Sequence, residues 1–214
     1  MDEKNIMMKN VERYNERAAA YDRWYDENPA YFAAELQALR AVLPAGRGLE
    51  IGAGSGRFTD ALDIAVGLEP AARMRALAKA RGVTLDAGFA EALPYGGRTF
   101  DYVCFLTSLE FVDDQKTALS EAARVLKSEG RLIVAYLNAE STEGQALVRT
   151  RHESPDFAGA SFLTPDSLRI LLSAAGFKMI SSAHVVARHG QYSVVSGSGD
   201  GLYTVAAAIR SEAS

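Results

Sequence analysis

The chain has 214 residues, 48% hydrophobic and 23% charged, with a formal net charge of -4. That suits one globular domain with a sizeable core and excludes a disordered chain. The weakly acidic balance, without any Lys/Arg cluster, argues against a nucleic-acid partner held through its phosphates. No apolar run approaches the roughly 20 residues that span a bilayer, and Met1 to Asn10 lack the apolar core of a signal peptide. Cys104 is the single cysteine, so no intramolecular disulfide forms. A cytoplasmic protein is expected, without a membrane partner or a metal site; the oligomeric state is left open.

Helical periodicity runs from Ile6 to Tyr25 and again from Pro29 to Val42, where Tyr31, Phe32, Leu36, Leu39 and Val42 recur at helical spacing. Pro44-Ala45-Gly46 ends that helix. A short strand, Gly48 to Ile51, leads into the cluster Gly52-Ala53-Gly54-Ser55-Gly56, with a helix beginning near Arg57. Ile64 to Leu68 reads as a strand, Ala71 to Ala80 as a helix, and Val83 to Ala87 as a third short strand. Phe100 to Thr107 is near-continuously apolar, the pattern of a strand buried on both faces. An amphipathic helix over Asp113 to Val125, a turn at Ser128-Glu129-Gly130 and a buried strand over Arg131 to Tyr136 follow. Thr164-Pro165-Asp166 starts a helix, with Thr as N-cap and Pro at the first position; Gly176 stops it. Phe177 to Ala187 and Leu202 to Ile209 are β-rich with no helix between them, so they pair antiparallel. The expected fold is α/β: a doubly wound, Rossmann-like, seven-stranded, mostly parallel sheet with an antiparallel C-terminal hairpin and helices on both faces.

In such a sheet, ligands sit beyond the carboxyl ends of the strands, where strand order reverses. The glycine cluster occupies that place, and Glu69 ends the next strand, where a carboxylate can accept from both hydroxyls of a ribose. The spacing discriminates between cofactors. A dinucleotide fingerprint places glycine at the first, third and sixth positions; here they are Gly52, Gly54 and Gly56, with Arg57 sixth. Glu50, just before them, suits a cationic methionine amino group better than a pyrophosphate. The loop therefore favours a sulfonium cofactor over NAD.

These residues resemble the class I S-adenosylmethionine-dependent methyltransferases, in particular the small single-domain group related to ubiquinone and menaquinone biosynthesis. Gly48 to Phe58 is similar to the family's first motif and Gly67-Leu68-Glu69-Pro70 to its ribose-binding segment. Glu91 to Tyr95 with Phe100 to Val103, Ala122 to Lys127 with Gly130 to Leu132, and Phe162 to Thr164 with Ala175 to Phe177 match further motifs in order. The resemblance implies that Glu50, Gly52, Ala53, Gly54, Ser55 and Gly56 cradle the methionine end of S-adenosylmethionine, and that Glu69, with Pro70, holds the ribose. Met74, Phe89 and Ala90 would lie at the adenine, and Leu106, Thr107 and Ser108 would floor the transferred methyl. Tyr14, Tyr21 and Tyr25 are lid and substrate candidates. It further implies one methyltransferase domain: an N-terminal helical lid over 1–43, a cofactor core over 44–137, a substrate-side insert over 138–162, and a C-terminal helix and hairpin over 163–210.

Two departures stand out. The family often carries Asp, accepting from the adenine amino group, where this chain has Phe89, and the quinone-type relatives often carry His where it has Glu110-Phe111. Cys104 lies in an apolar strand and is a small hydrophobe rather than a nucleophile. His152, His184 and His189 are assigned surface or structural roles. Methyl transfer is an in-line displacement that needs positioning and water exclusion, so no catalytic base is assigned. The expected activity is methyl transfer from S-adenosylmethionine, leaving S-adenosylhomocysteine, to a small molecule. The alternatives are a non-catalytic S-adenosylmethionine-binding module and an NAD-dependent oxidoreductase.

Overall fold

The computed structural model describes the backbone of residues 3–211 and the side chains of residues 10–211. Helices α1 (Glu3–Glu27) and α2 (Pro29–Arg40) lead, with Pro29 at the first turn of α2, where its missing N–H goes unneeded. Then come β1 (Gly48–Ile51), α3 (Arg57–Ala61), β2 (Val66–Leu68), α4 (Ala72–Ala80), β3 (Phe100–Leu106) and a 3₁₀ turn, Leu109–Phe111. The second half comprises α5 (Gln115–Val125), β4 (Leu126–Leu137), α6 (Thr142–Thr150), α7 (Pro165–Ala174), β5 (Phe177–Arg188), β6 (Gln191–Ser196) and β7 (Tyr203–Arg210).

The strands form one sheet in the order β2-β1-β3-β4-β7-β5-β6. Pairing is parallel from β2 to β4 and antiparallel from β4 outward, so five strands run one way and β6 and β7 run against them. Alternation divides the core. Val103, Phe105, Leu132 and Val134 pack on one face, with Leu119 of α5 and Leu168 of α7. Tyr102, Cys104, Leu106, Ile133 and Ala135 pack on the other, with Leu39 of α2 and Phe58 of α3. This is the expected doubly wound sheet with helices on both faces. Strand order reverses between β1 and β3, which puts the end of β1 and the end of β3 side by side.

Local departures have local causes. Val83 to Ala87 makes only one bridge, Leu68 to Asp86, with glycines at 82 and 88 on either side. The seventh strand is instead β6, an edge strand with largely exposed side chains and hence no burial pattern to read. The expected turn at Ser128-Glu129-Gly130 is an irregularity inside β4: Phe100 faces Leu126, but Tyr102 faces Arg131. Helix α6 arises in the segment after β4, where Ser141 caps it by accepting from the Gly144 N–H. At α7 the Thr164 cap is reciprocal, Thr164 and Ser167 each bonding the other's backbone N–H. Among the described residues, no helix is long and apolar enough to cross a membrane.

Candidate active site

A cavity of about 680 Å³ opens at the carboxyl ends of β1, β2 and β3, with α1 and α2 on its far side. The glycine turn forms one wall. Gly52, Gly54 and Gly56 have φ of +73°, +56° and +75°, a left-handed region that costs other L-residues about 1–2 kcal/mol each. At Gly52 space is the second constraint: a Cβ there would lie 2.6 Å from Cβ of Ser108. Ser108 is held by donating its hydroxyl to the Ile51 carbonyl (2.6 Å), joining the end of β1 to the residues after β3. Thr107 adopts φ +52° while its N–H donates to Ala135 (2.9 Å), an uncommon conformation for a β-branched residue.

Glu69, which follows β2, is buried at this wall. It accepts from the Gly54 N–H (2.9 Å) and the Ala71 N–H (2.7 Å), so one carboxylate ties the glycine turn to the start of α4. Burial raises its pKa, against the two N–H bonds and the charge of Arg75. Each oxygen accepts one bond and keeps a lone pair for a ligand hydroxyl. Met74, fully buried, packs with Ala18 and Tyr14 and lines the same cavity. Half-buried Phe89, with Pro70 and Ala90, continues the wall, and Leu106, Thr107 and Ser108 close it from the β3 side. Tyr14, Tyr21 and Tyr25 complete it from α1. Tyr14 meets Phe111 edge-on (5.3 Å), and the Tyr21 and Tyr25 hydroxyls are bonded to each other (3.0 Å). The Tyr21 ring covers the glycine turn, 3.4 Å from where a Cβ on Gly54 would sit.

Four sequence-predicted residues stand behind the wall rather than in it. Glu50 pairs with Cys104 across the sheet and is buried on the α2 face, where the Thr59 hydroxyl donates to it; burial pushes its carboxyl up to about 8. It is not part of the cavity lining, and burial favours its protonated form. Ala53 packs on Ala78 and Leu85, and Gly56 leaves room for Ala78 and Val83. Ser55 donates its hydroxyl to Asp22 (2.6 Å). Glu110 also lies outside the wall. It accepts from the Leu137 N–H (2.9 Å), and burial lifts it to about 7. None of the three histidines lines the cavity; His184 is buried, with Nδ1 2.8 Å from the Gly197 carbonyl. Cys104 is buried and its thiol is pushed well up by burial.

Two features had no motif. Asp22 of α1 accepts from Ser55, from Arg57 (2.7 and 3.1 Å) and from Arg81 (3.0 and 3.1 Å). Burial opposes its charge, but these bonds and the two guanidinium charges hold it at about 2. This cluster ties α1 to the glycine turn and to the end of α4. The second is Glu35 of α2, buried and lining the cavity, with no hydrogen bond to its Oε2. Its one signal was position: Tyr31, Glu35, Leu39 and Val42 share a helical stripe, so the carboxyl interrupts an apolar face.

A family model described as a methyltransferase domain matches residues 17–182. A solved structure from Thermotoga maritima, described as an S-adenosylmethionine-dependent methyltransferase and possible histamine N-methyltransferase, is 34% identical, with a TM-score of 0.89 over 93% of this chain and 99% of that one. An uncharacterised protein of Methanocaldococcus jannaschii is 33% identical over 173 residues, covering 81% of this chain and 84% of that protein. A demethylmenaquinone methyltransferase of Renibacterium salmoninarum is 38% identical over a shorter stretch of 101 residues, 44% of this chain and 42% of that one. The chain belongs to the S-adenosylmethionine-dependent methyltransferases. That membership sets aside the NAD-dependent oxidoreductase.

Proposed function

We propose that the cavity holds S-adenosylmethionine against the glycine turn and that a small-molecule acceptor enters between α1, α2 and the segment after β4. The observation that carries this is Glu69: a buried carboxylate at the switch point, anchored by Gly54 and Ala71 with a lone pair free on each oxygen. In this reading Glu69 takes the ribose hydroxyls, and the close backbone at Gly52 and Gly54 takes the methionine end. Phe89 and Met74 flank the adenine. The cofactor supplies an electrophilic methyl on a sulfonium. Leu106, Thr107 and Ser108 set the floor for the acceptor atom, and the strained Thr107 backbone is held by Ala135. Tyr14, Tyr21 and Tyr25 exclude water from above, so the chain contributes alignment and desolvation, without a named base.

The same reading divides the chain into a helical lid over 1–43, a cofactor core over 44–137, a substrate-side insert over 138–162 and a closing unit over 163–210. Leu147 and Phe157 of the insert line the cavity, and Asp156 pairs with Arg17 of α1 at 2.5 Å, which supports a shared acceptor wall. We take the enzyme to work in the cytoplasm on a soluble metabolite. Single-turnover transfer from methyl-labelled S-adenosylmethionine to a metabolite extract tests the activity: label in a small-molecule fraction is expected, and label only in protein or nucleic acid refutes the acceptor class.

A further inference from the structure

The cavity is acidic. Among the described residues its lining carries Glu27, Glu35, Glu69, Glu91, Asp113 and Asp156 and a single base, Arg17, already paired with Asp156. An anionic acceptor would enter against that field. Among these acids Glu35 stands apart. It is buried, no bond reaches its Oε2, and the hydroxyls of Tyr31 and Tyr203 are likewise buried without a partner. Tyr25, Tyr31 and Tyr203 each have their phenol pushed up first by burial and then by Glu35 among other neighbours. One carboxyl thus faces several aromatic rings, with Trp24 edge-on to both Tyr25 and Tyr31. Buried polar groups find partners in native proteins, and an orphaned acceptor in a cavity points to the ligand that satisfies it. Aromatic faces beside a carboxylate suit one ligand chemistry in particular, a cation on an apolar stem.

Building on the proposed methyl-transfer reading, we propose that Glu35, with Tyr31 and Tyr203 beside it, is the anchor of the acceptor subsite and takes the ammonium of a small apolar amine. The apolar and aromatic lining that Glu35 shares in this cavity, Trp24, Tyr25, Tyr31 and Leu147 among it, favours an alkyl or aryl-alkyl stem over a sugar or a peptide. Tyr21 links this end to the cofactor end, its ring covering Gly54 and its hydroxyl bonded to that of Tyr25. The titratable groups facing Glu35 are Tyr21 and Tyr25 of α1, Tyr31 of α2 and Tyr203 of β7, and burial raises each of them. Burial raises Glu35 too, which favours its protonated form while the subsite is empty. An arriving ammonium opposes that shift and draws the carboxyl towards its ionised form.

The test is calorimetric titration of the full chain with S-adenosylhomocysteine present, at pH 7. Hexylamine, benzylamine and 2-phenylethylamine are each compared with the corresponding alcohol. The proposal expects each amine to bind at least tenfold more tightly than its alcohol. In E35Q the amine preference vanishes, while S-adenosylhomocysteine still binds; Y31F, which leaves the carboxyl in place, keeps the preference. Alcohols binding as well as amines, no amine binding at millimolar concentration, or an amine preference surviving in E35Q would each overturn the proposal. A tenfold loss of S-adenosylhomocysteine in E35Q would assign Glu35 to the cofactor and overturn it as well. Failure of S-adenosylhomocysteine to bind the unmodified chain would instead sink the cofactor reading.

Discussion

Asp22→Asn isolates the cluster that fastens α1 over the cavity. Asp22 is largely covered, with its side chain 18% exposed, and its carboxyl is held from the ordinary 3.8 down to about 2. At about 1.4 kcal/mol per pH unit, that depression comes to roughly 2.5 kcal/mol of folding stability. Because the folded carboxyl binds its proton more weakly than the unfolded one, the contribution is complete above about pH 4 and fades as pH falls towards 2. The amide keeps the shape but leaves the guanidinium groups of Arg57 and Arg81 facing each other without the charge between them. For a domain of this size each kcal/mol moves Tm by about 2–4 °C, so a fall of about 5–10 °C at pH 7.5 is expected. Thermal melts of both proteins at pH 7.5, and urea unfolding at pH 7.5 and pH 2.5, measure it; the difference should shrink in acid. A change under 2 °C at pH 7.5, or a difference as large at pH 2.5, would refute the argument that this cluster holds α1 down.

Gly52→Ala combines a left-handed backbone with a Cβ 2.6 Å from Ser108; about 2–5 kcal/mol should be lost in denaturant unfolding. Gly82→Ala, at φ +94° with nothing within 4 Å, is the comparison and should lose only the backbone part. Glu50 holds its proton to about pH 8 in the fold, against 4.5 in the unfolded chain. Its contribution is therefore complete below about pH 4.5, and stability drops as pH rises towards 8, by up to about 1.4 kcal/mol per unit. Urea unfolding of Glu50→Gln at pH 5, 6.5 and 8 should show a flatter profile, and equal slopes in the two proteins would contradict the buried carboxyl. Phe89→Ala should weaken S-adenosylhomocysteine about tenfold, the loss of roughly one stacked ring; unchanged affinity in calorimetry would leave Phe89 as a wall residue only.

What the sequence made legible was whatever repeats with a period or sits beside a turn. The strand Phe100–Leu106 is apolar but for Asp101 because both faces are covered, and the Thr164 cap precedes a proline in the usual order. The glycine turn and Glu69 follow from the reversal of strand order, so the near half of the cavity could be read before the fold was known. Glu50 adjoins the glycine turn in sequence but is absent from the cavity lining: it lies within β1, covered by Thr59, while Gly52 and Gly54 sit in the turn beyond the strand's end. Asp22, Arg57 and Arg81 lie on three separate elements, and nothing local marks residues that meet only after folding. β6 was invisible for the opposite reason: an exposed edge strand has no buried face to impose alternation. Glu35 left one trace, a carboxyl on an apolar helical stripe, which reads as a surface acid until α2 is seen against the sheet.

The most direct test of the account is calorimetric titration of the protein with S-adenosylmethionine, S-adenosylhomocysteine and NAD, repeated on Glu69→Ala. The account predicts that both adenosyl ligands bind, that NAD does not, and that Glu69→Ala weakens the adenosyl ligands at least tenfold, about 1.4 kcal/mol. Adenosyl affinity unchanged in Glu69→Ala, or no adenosyl binding to the unmodified chain, would contradict the placement of the cofactor on the glycine turn.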